Sequence, residues 1–425
     1  MVPTILTSIS HYNKICRDEK KPLPRINSYQ LNQLKKTLLF AEKNIPYYRE
    51  VWGAARLDVS RVKSWENFNA IPLLTKQELR SRRAEDFLPE SIPYGLWKSQ
   101  TTGSTGIPIQ IFRSPQTDAW TKALLHYSFS VVGIKVNDRF CQILHYLSEK
   151  PHPKGFLAKI GLKRYYPVSL KLSDEEMVRS IKEVNPDVLY SFPSVLLRLA
   201  EYIDQESIDL QVKCVFGQGE YLPPAWRARI EKAFKAPMYH SYGSTEFPRI
   251  GYECHFKTGF HLLPQPAVVE ILREDGTPVK PGEEGEIVLT HLNNYTMPLI
   301  RYRIGDKGIL SARPCPCGSH YPLLESLTGR MDDYLIMADG KKLSARAFTH
   351  MEFEGILQHK IIQKNPGLFE VLVIPSNKFG QDTVKAIENQ IRLGCLDEKM
   401  KVIVKTVESL PVSRTGKFQL VSREF

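Results

Sequence analysis

The chain has 425 residues, 42% of them hydrophobic and 24% charged, the profile of a globular protein long enough for more than one domain. Its formal charge of +12 suits an anionic ligand, but lysine and arginine are scattered without a basic tail or an RNA-binding signature, so nucleic acid is not an expected partner. No run of about 18 apolar residues occurs, so no membrane-spanning helix is expected, and a membrane is not an expected partner. The N-terminal stretch lacks the long apolar core and cleavage site of a signal peptide, and seven irregularly spaced cysteines point to a reduced, cytoplasmic protein.

In chain order, SYQLNQLKKTLLFAEKNIPYY sets Leu31, Leu34, Leu38 and Leu39 on one helical face, with Pro46 marking the end. SQTTGSTGIPIQIF, residues 99–112, then packs hydroxyls and glycines into a loop that runs into an apolar stretch. AWTKALLHYSFSVVGI reads as a covering helix. Beyond it, Ser173 and Glu176 form a capping box for a helix burying Met177, Val178, Ile181 and Val184. Asn185-Pro186 stops that helix, DVLYS reads as a buried strand and PSVLLRLAEYI as the next helix. VKCVFG, PAWRARIEKAF and PMYHSYG continue the alternation as strand, helix and strand, which implies a mostly parallel, covered sheet and an α/β fold.

Near residue 262 the pattern changes. AVVEILREDGTPVKPGEEGEIVLT alternates apolar and polar residues around an Asp275-Gly276 turn, reading as an antiparallel β subdomain over about 262–325. After Gly329-Arg330 a small α+β unit is expected: a hairpin around Asp339-Gly340, a helix near 344–357, the strand LFEVLVI, a helix over about 381–393, and the strand KVIVKTV. The expected division is 1–329 for a large N-terminal domain and 330–425 for a small mobile one. There is no internal repeat.

A Gly-Ser-Thr loop can cradle phosphate, because backbone N–H groups approach closely where side chains are absent. Taken alone it is most often a turn. No Walker loop, dinucleotide fingerprint, metalloprotease motif or nucleophile elbow occurs in the chain. The loop gains meaning from its company: HSYGSTE at 240–246, RYRIGD at 301–306, GRMDD at 329–333 and LPVSRTGKFQL at 410–420.

At these residues the chain resembles the adenylate-forming enzymes of the acyl-CoA synthetase superfamily. Within them it is most similar to the phenylacetate–CoA ligase branch and its CapK-like relatives, from about residue 40 onward. The resemblance implies an adenylate-forming fold, with ATP and Mg²⁺ used to convert a carboxylic acid, aromatic by default, to acyl-AMP and pyrophosphate. The small domain then rotates and an acceptor takes the acyl group. Coenzyme A is the first expectation, with an amine or a carrier-protein thiol as alternatives; a non-catalytic nucleotide-binding protein is the reading from another class. The branch also allows a homodimer.

Carried over residue by residue, the resemblance gives Thr101, Thr102, Gly103, Ser104, Thr105 and Gly106 to the β- and γ-phosphates. Tyr242 would stack on adenine within the Tyr242, Gly243, Ser244 stretch, and Gly219 and Glu220 would border it. Thr245 would donate to phosphate or carboxylate, and Glu246 would hold Mg²⁺, a hard ion suited to carboxylate oxygen. Asp306 would accept from the ribose hydroxyls, Arg330 would meet the nucleotide, and Asp332 would be the hinge. Lys417 would stabilise charge in the adenylation transition state, reaching in on a flexible stem. The segment MADGKKLSARAFTHMEFEGI departs from the phenylacetate ligase pattern and leaves the acceptor open.

Cys315 and Cys317 form a tight C-x-C pair, and Cys254 precedes His261 by seven residues. Together they offer a Cys₃His set for structural Zn²⁺, with His255 as a rival fourth ligand. Free reduced cysteines are the alternative.

Overall fold

The computed structural model describes residues 2–91, 95–100, 109–144, 161–162, 164–330, 334–344, 348, 351, 353–395, 397–412 and 418–425. These fall into two compact units, one made of Met1–Ile134 with Ser241–Thr328 and the other of Lys135–His240 with Gly329–Phe425. The expected class is the one observed: mixed α/β with parallel and antiparallel strands, and a smaller strand-rich C-terminal part. Among the described residues, no helix is long and apolar enough to cross a membrane.

The first unit carries the antiparallel strands. Ala267–Leu272, Glu284–His291, Tyr302–Leu310, Leu323–Arg330, Phe260–Leu262 and Gly251–Tyr252 lie side by side in that order. Ala267 pairs with His291 and Leu289 with Tyr302. The Asp275-Gly276 turn forms as its chemistry requires: Gly276 takes φ 82° and the Thr277 N–H donates to Asp275 Oδ1 at 2.9 Å. Apolar strand faces join helix Leu23–Asn44 in one core that includes Leu34, Leu38, Ile287, Leu289 and Tyr302.

Two expectations about that helix change. Leu34 and Leu38 are fully buried, but Leu39 is 49% exposed. At about 100° per residue a neighbour of Leu38 turns off the buried face. Pro46 does more than end the helix, because it opens the next, Pro46–Ala54, where its missing N–H costs nothing.

Arg301 ties the start of the chain to these strands. It sits at φ 48° with its side chain 3% exposed. The guanidinium takes both carboxylate oxygens of Glu270, at 3.2 and 2.9 Å. One of its terminal nitrogens donates to the carbonyls of Asn69 and Ile71, at 2.7 and 2.8 Å. A planar fork with several donors is the cation suited to such a buried junction.

The second unit carries the parallel strands. Arg139–Leu144 pairs in parallel with Arg164–Ser169 on one side and Val188–Ser191 on the other, and Val188–Ser191 pairs with Cys214–Gln218. Helices Asp174–Val184, Pro193–Gln205 and Pro224–Ala233 follow as expected. The capping box is present: Glu176 N–H donates to Ser173 Oγ at 3.2 Å and Ser173 N–H to Glu176 Oε2 at 2.8 Å. Met177, Val178, Ile181 and Val184 are all buried, and Asn185 closes the helix in the left-handed conformation.

In the C-terminal part a four-stranded sheet runs Lys401–Thr406, Leu368–Pro375, Ile356–Asn365, Val421–Arg423, with helix Gln381–Cys395 following in the expected place. The Asp339-Gly340 hairpin forms between Tyr334–Ile336 and Lys342–Ser344. Six of the fourteen residues of the helix expected near 344–357 lie outside the described residues. At its far end it is corrected, since Ile356 and Leu357 begin a ten-residue strand. That strand was unreadable because it buries polar side chains: Gln358, His359 and Gln363 are all nearly inaccessible. Gln363 answers for its burial by exchanging two hydrogen bonds with the backbone of Ile336, at 3.0 and 2.7 Å.

Candidate active site and metal-ligand cluster

Strand Met238–Tyr242 is wholly buried and delivers the HSYGSTE motif to a turn at its end. Gly243 is required there, because a Cβ would meet the Pro248 carbonyl oxygen at 2.4 Å. The turn is fastened by Ser244 N–H to Phe247 O at 2.8 Å, Phe247 N–H to Ser244 Oγ at 3.0 Å, and Ile250 N–H to Tyr242 O at 3.0 Å.

The second motif, RYRIGD, runs along the strand Tyr302–Leu310 and meets the first at two points. The Tyr242 hydroxyl donates to Asp306 Oδ2 at 2.7 Å, and the Tyr302 hydroxyl donates to Glu246 Oε1 at 3.1 Å. Both carboxylates are buried. A carboxylate oxygen such as that of Glu246 is the hard kind of donor that a divalent cation takes.

His291 completes this corner. Its ring stacks on Phe247 at 3.9 Å between centroids. The Leu299 N–H donates to Nδ1 at 3.1 Å, so Nε2 carries the proton toward the Glu246 carbonyl at 3.2 Å. Burial pushes its pKa down to about 3, so it serves as a fixed neutral donor rather than a titrating group. Nothing in the RYRIGD motif marks Tyr302 as a partner of Glu246, and His291 carries no sequence signal. Its importance arises only where two strands pass the turn.

In the other unit, Gly219 takes φ 82° at the end of strand Cys214–Gln218. The Glu220 carboxylate accepts the Ser194 N–H at Oε2, 3.0 Å away, and the Phe418 N–H at Oε1, 2.6 Å away. The loop Thr101–Gly106, the hinge residue Asp332 and Lys417 lie outside the described residues, and for Arg330 only the backbone strand is described.

The four metal-ligand candidates converge. The donor atoms of Cys254, His261, Cys315 and Cys317 all lie within 4.8 Å of one another. Cys254 Sγ is 3.6 Å from Cys315 Sγ, and Cys317 Sγ is 3.3 Å from His261 Nε2. A tetrahedral zinc with ordinary Zn–S and Zn–N bonds has ligand-to-ligand edges of about 3.5–3.8 Å; the two separations lie near that range, and the Cys254–Cys315 pair is far too long for a disulfide. His261, held in the strand Phe260–Leu262, belongs to the cluster in place of His255.

Residues 158–296 match the model of the AMP-binding enzyme family. The chain is similar to the adenylate-forming enzymes of the acyl-CoA synthetase superfamily, whose members here are AMP-forming acid–thiol ligases. Among relatives, the phenylacetate–coenzyme A ligase of Thermus thermophilus is 24% identical over 344 residues, 75% of this chain and 73% of that one. Protein CapK of Staphylococcus aureus is 22% identical over 406 residues, 90% of this chain and 86% of that one. A solved 2-hydroxyisobutyryl-CoA ligase in its postadenylation state, bound to 2-HIB-AMP, superposes with a TM-score of 0.78 at 22% identity, covering 96% of this chain and 91% of that one.

Proposed function

We propose that this chain activates a carboxylic acid, aromatic in the first instance, as acyl-AMP and then passes the acyl group to the thiol of coenzyme A. On this reading it falls in the phenylacetate–CoA ligase branch. The carrying observation is the pair of hydrogen bonds, Tyr242 to Asp306 and Tyr302 to Glu246, that sets the two nucleotide motifs side by side. In the first step a carboxylate oxygen attacks the α-phosphorus, and the bond to pyrophosphate breaks with its electron pair leaving on pyrophosphate. In the second, the acceptor sulfur attacks the acyl carbon and AMP departs with the carboxyl oxygen that joined it.

The protein's work in both steps is charge placement. The loop Thr101–Gly106 would cradle the outer phosphates, Asp306 would orient the ribose, and Tyr242, its hydroxyl held by Asp306, would offer a flat face to adenine. Thr245 would donate to the reacting oxygens, and Arg330 and Lys417 would neutralise charge. Glu246 would hold Mg²⁺, which supplies further neutralisation when bound. The remaining assignments are Gly243 and Ser244 at the nucleotide, Gly219 and Glu220 beside it, and 330–425 as a small domain hinged at Asp332.

ATP–pyrophosphate exchange with phenylacetate, benzoate and 2-hydroxyisobutyrate tests the first step. Exchange above background with at least one acid is expected, and AMP release should then require coenzyme A. Exchange without coenzyme A-dependent AMP release would move the acceptor to an amine or a carrier thiol. No exchange with any acid would favour a nucleotide-binding protein without catalysis.

The cluster at Cys254, His261, Cys315 and Cys317 is proposed as a structural zinc site, since four protein ligands leave no open position. Elemental analysis should return about one zinc per chain, and Cys315→Ser should lose most of it and lower the thermal midpoint. Zinc-free wild-type protein of unchanged stability would remove the assignment.

A further inference from the structure

The loop that carries two of the four metal-ligand candidates has little else to hold it. Residues 311–322 join the strands Tyr302–Leu310 and Leu323–Arg330 without helix or strand of their own. Of these twelve residues only Cys315 and Tyr321 are buried. Ordering such a stretch costs more conformational entropy than two buried side chains return. A metal bound by Cys315 and Cys317 together with Cys254 and His261 would cross-link the loop to the sheet. Cys254 lies just beyond the strand Gly251–Tyr252, and His261 lies within Phe260–Leu262.

The same elements form the seat of the first helix, Val2–Glu19. Among its described residues, Ile15 is the one fully buried hydrophobic side chain. It packs in a cluster with Tyr127, Tyr252 and Tyr321. The Tyr321 hydroxyl accepts from Gln265 Nε2 at 2.9 Å and lies 3.5 Å from the Ile15 carbonyl oxygen. The Tyr252 ring stacks on that of His261, 5.4 Å between centroids, and its hydroxyl meets that of Tyr127 at 3.2 Å. Tyr127 belongs to helix Pro115–Val131, where Trp120 stacks on His11 of the first helix at 3.8 Å. Val131, at the end of that helix, packs against both the tyrosine cluster and the cysteine cluster.

We infer that metal loading docks the first helix: ligation by Cys254, His261, Cys315 and Cys317 fixes the loop 311–322, whose Tyr321 then holds Ile15 and with it helix Val2–Glu19. This rests on the zinc reading above and deepens it, giving the metal a local task in place of a general one. An 18-residue helix is marginal in water by itself. This one has a single fully buried apolar anchor among its described residues, so its docking depends on the few rings beneath it. Two of those rings, Tyr252 and Tyr321, sit two and four residues from a ligand, Cys254 and Cys317. Without the ion, three thiols and an imidazole offer the loop only weak hydrogen bonds.

The test is hydrogen–deuterium exchange of the full chain under reducing conditions, before and after a chelator removes zinc, and again after zinc is returned. Amides of residues 2–19 are expected to exchange about tenfold faster or more in the stripped protein, and to regain protection with zinc. Amides of helix Gln381–Cys395 should stay within about twofold in all three states. Tyr321→Leu, which leaves the four ligands in place, should keep about one zinc per chain yet deprotect the first helix even when loaded. Equal protection of residues 2–19 with and without zinc, an equal rise in both helices, or wild-type protection in Tyr321→Leu would each overturn the inference. Protein that holds zinc but gives one of these results leaves the zinc reading standing, whereas protein that holds none removes both.

Discussion

Lys417→Ala is expected to lower ATP–pyrophosphate exchange by about 10²–10³-fold, the usual loss when one preorganised donor to developing charge is removed. Attack on the α-phosphorus gathers negative charge on oxygens that already belong to a polyanion and a carboxylate. A compact ammonium on a flexible stem can follow that charge as it moves. The loss should fall on kcat, since the interaction is strongest in the transition state, and the thermal midpoint should stay at the wild-type value. Lys417→Arg should restore little, because the planar guanidinium spreads its charge and needs more room. Exchange within threefold of wild type in Lys417→Ala would refute the role.

The second large effect concerns stability. Arg301→Met leaves Glu270, itself nearly buried, without the guanidinium that meets both of its oxygens, and strips the Asn69 and Ile71 carbonyls of their donor. Breaking a buried pair from one side costs about 3–5 kcal/mol, a fall on the order of 10 °C in the thermal midpoint. Burial already pushes the Glu270 carboxyl up against the pull of Arg301, so in the variant that acid should take up a proton on folding. Between its unfolded pKa and its raised folded value the native state then holds the extra proton, and stability falls as pH rises. The double variant Arg301→Met/Glu270→Met should recover much of the loss, since a matched apolar pair removes the unpaired charge. A single variant as stable as wild type, or a double variant no better than the single, would show that the ion pair does not hold this junction.

Part of the site was readable from local chemistry. The turn after Tyr242 needs Gly243 because of the Pro248 carbonyl, and the capping box at Ser173 and Glu176 is written in four consecutive residues. Cys254, His261, Cys315 and Cys317 were selected by residue type and spacing, and the structure gathers all four. Short-range rules work at the turn and at the capping box because the interaction partners there lie within a few residues of one another. They failed for the strand Ile356–Asn365, where buried Gln358, His359 and Gln363 break the alternation that marks a half-buried strand. They fail also for Leu39, because hydrophobicity alone does not fix the direction in which a side chain points.

The amino-acid sequence by itself determined the α/β class, the order of helices and strands through residues 173–242, and the motifs that mark an adenylate-forming enzyme, because periodicity, caps and turn residues act over one or two turns of chain. Only the tertiary structure decided that Tyr242 donates to Asp306, that Tyr302 and His291 hold Glu246, and that Glu220 reaches Phe418. Those partners are separated by 45 to 198 residues. No local preference encodes such a pairing; it exists where packed strands and helix ends bring a buried donor to the one acceptor that can satisfy it.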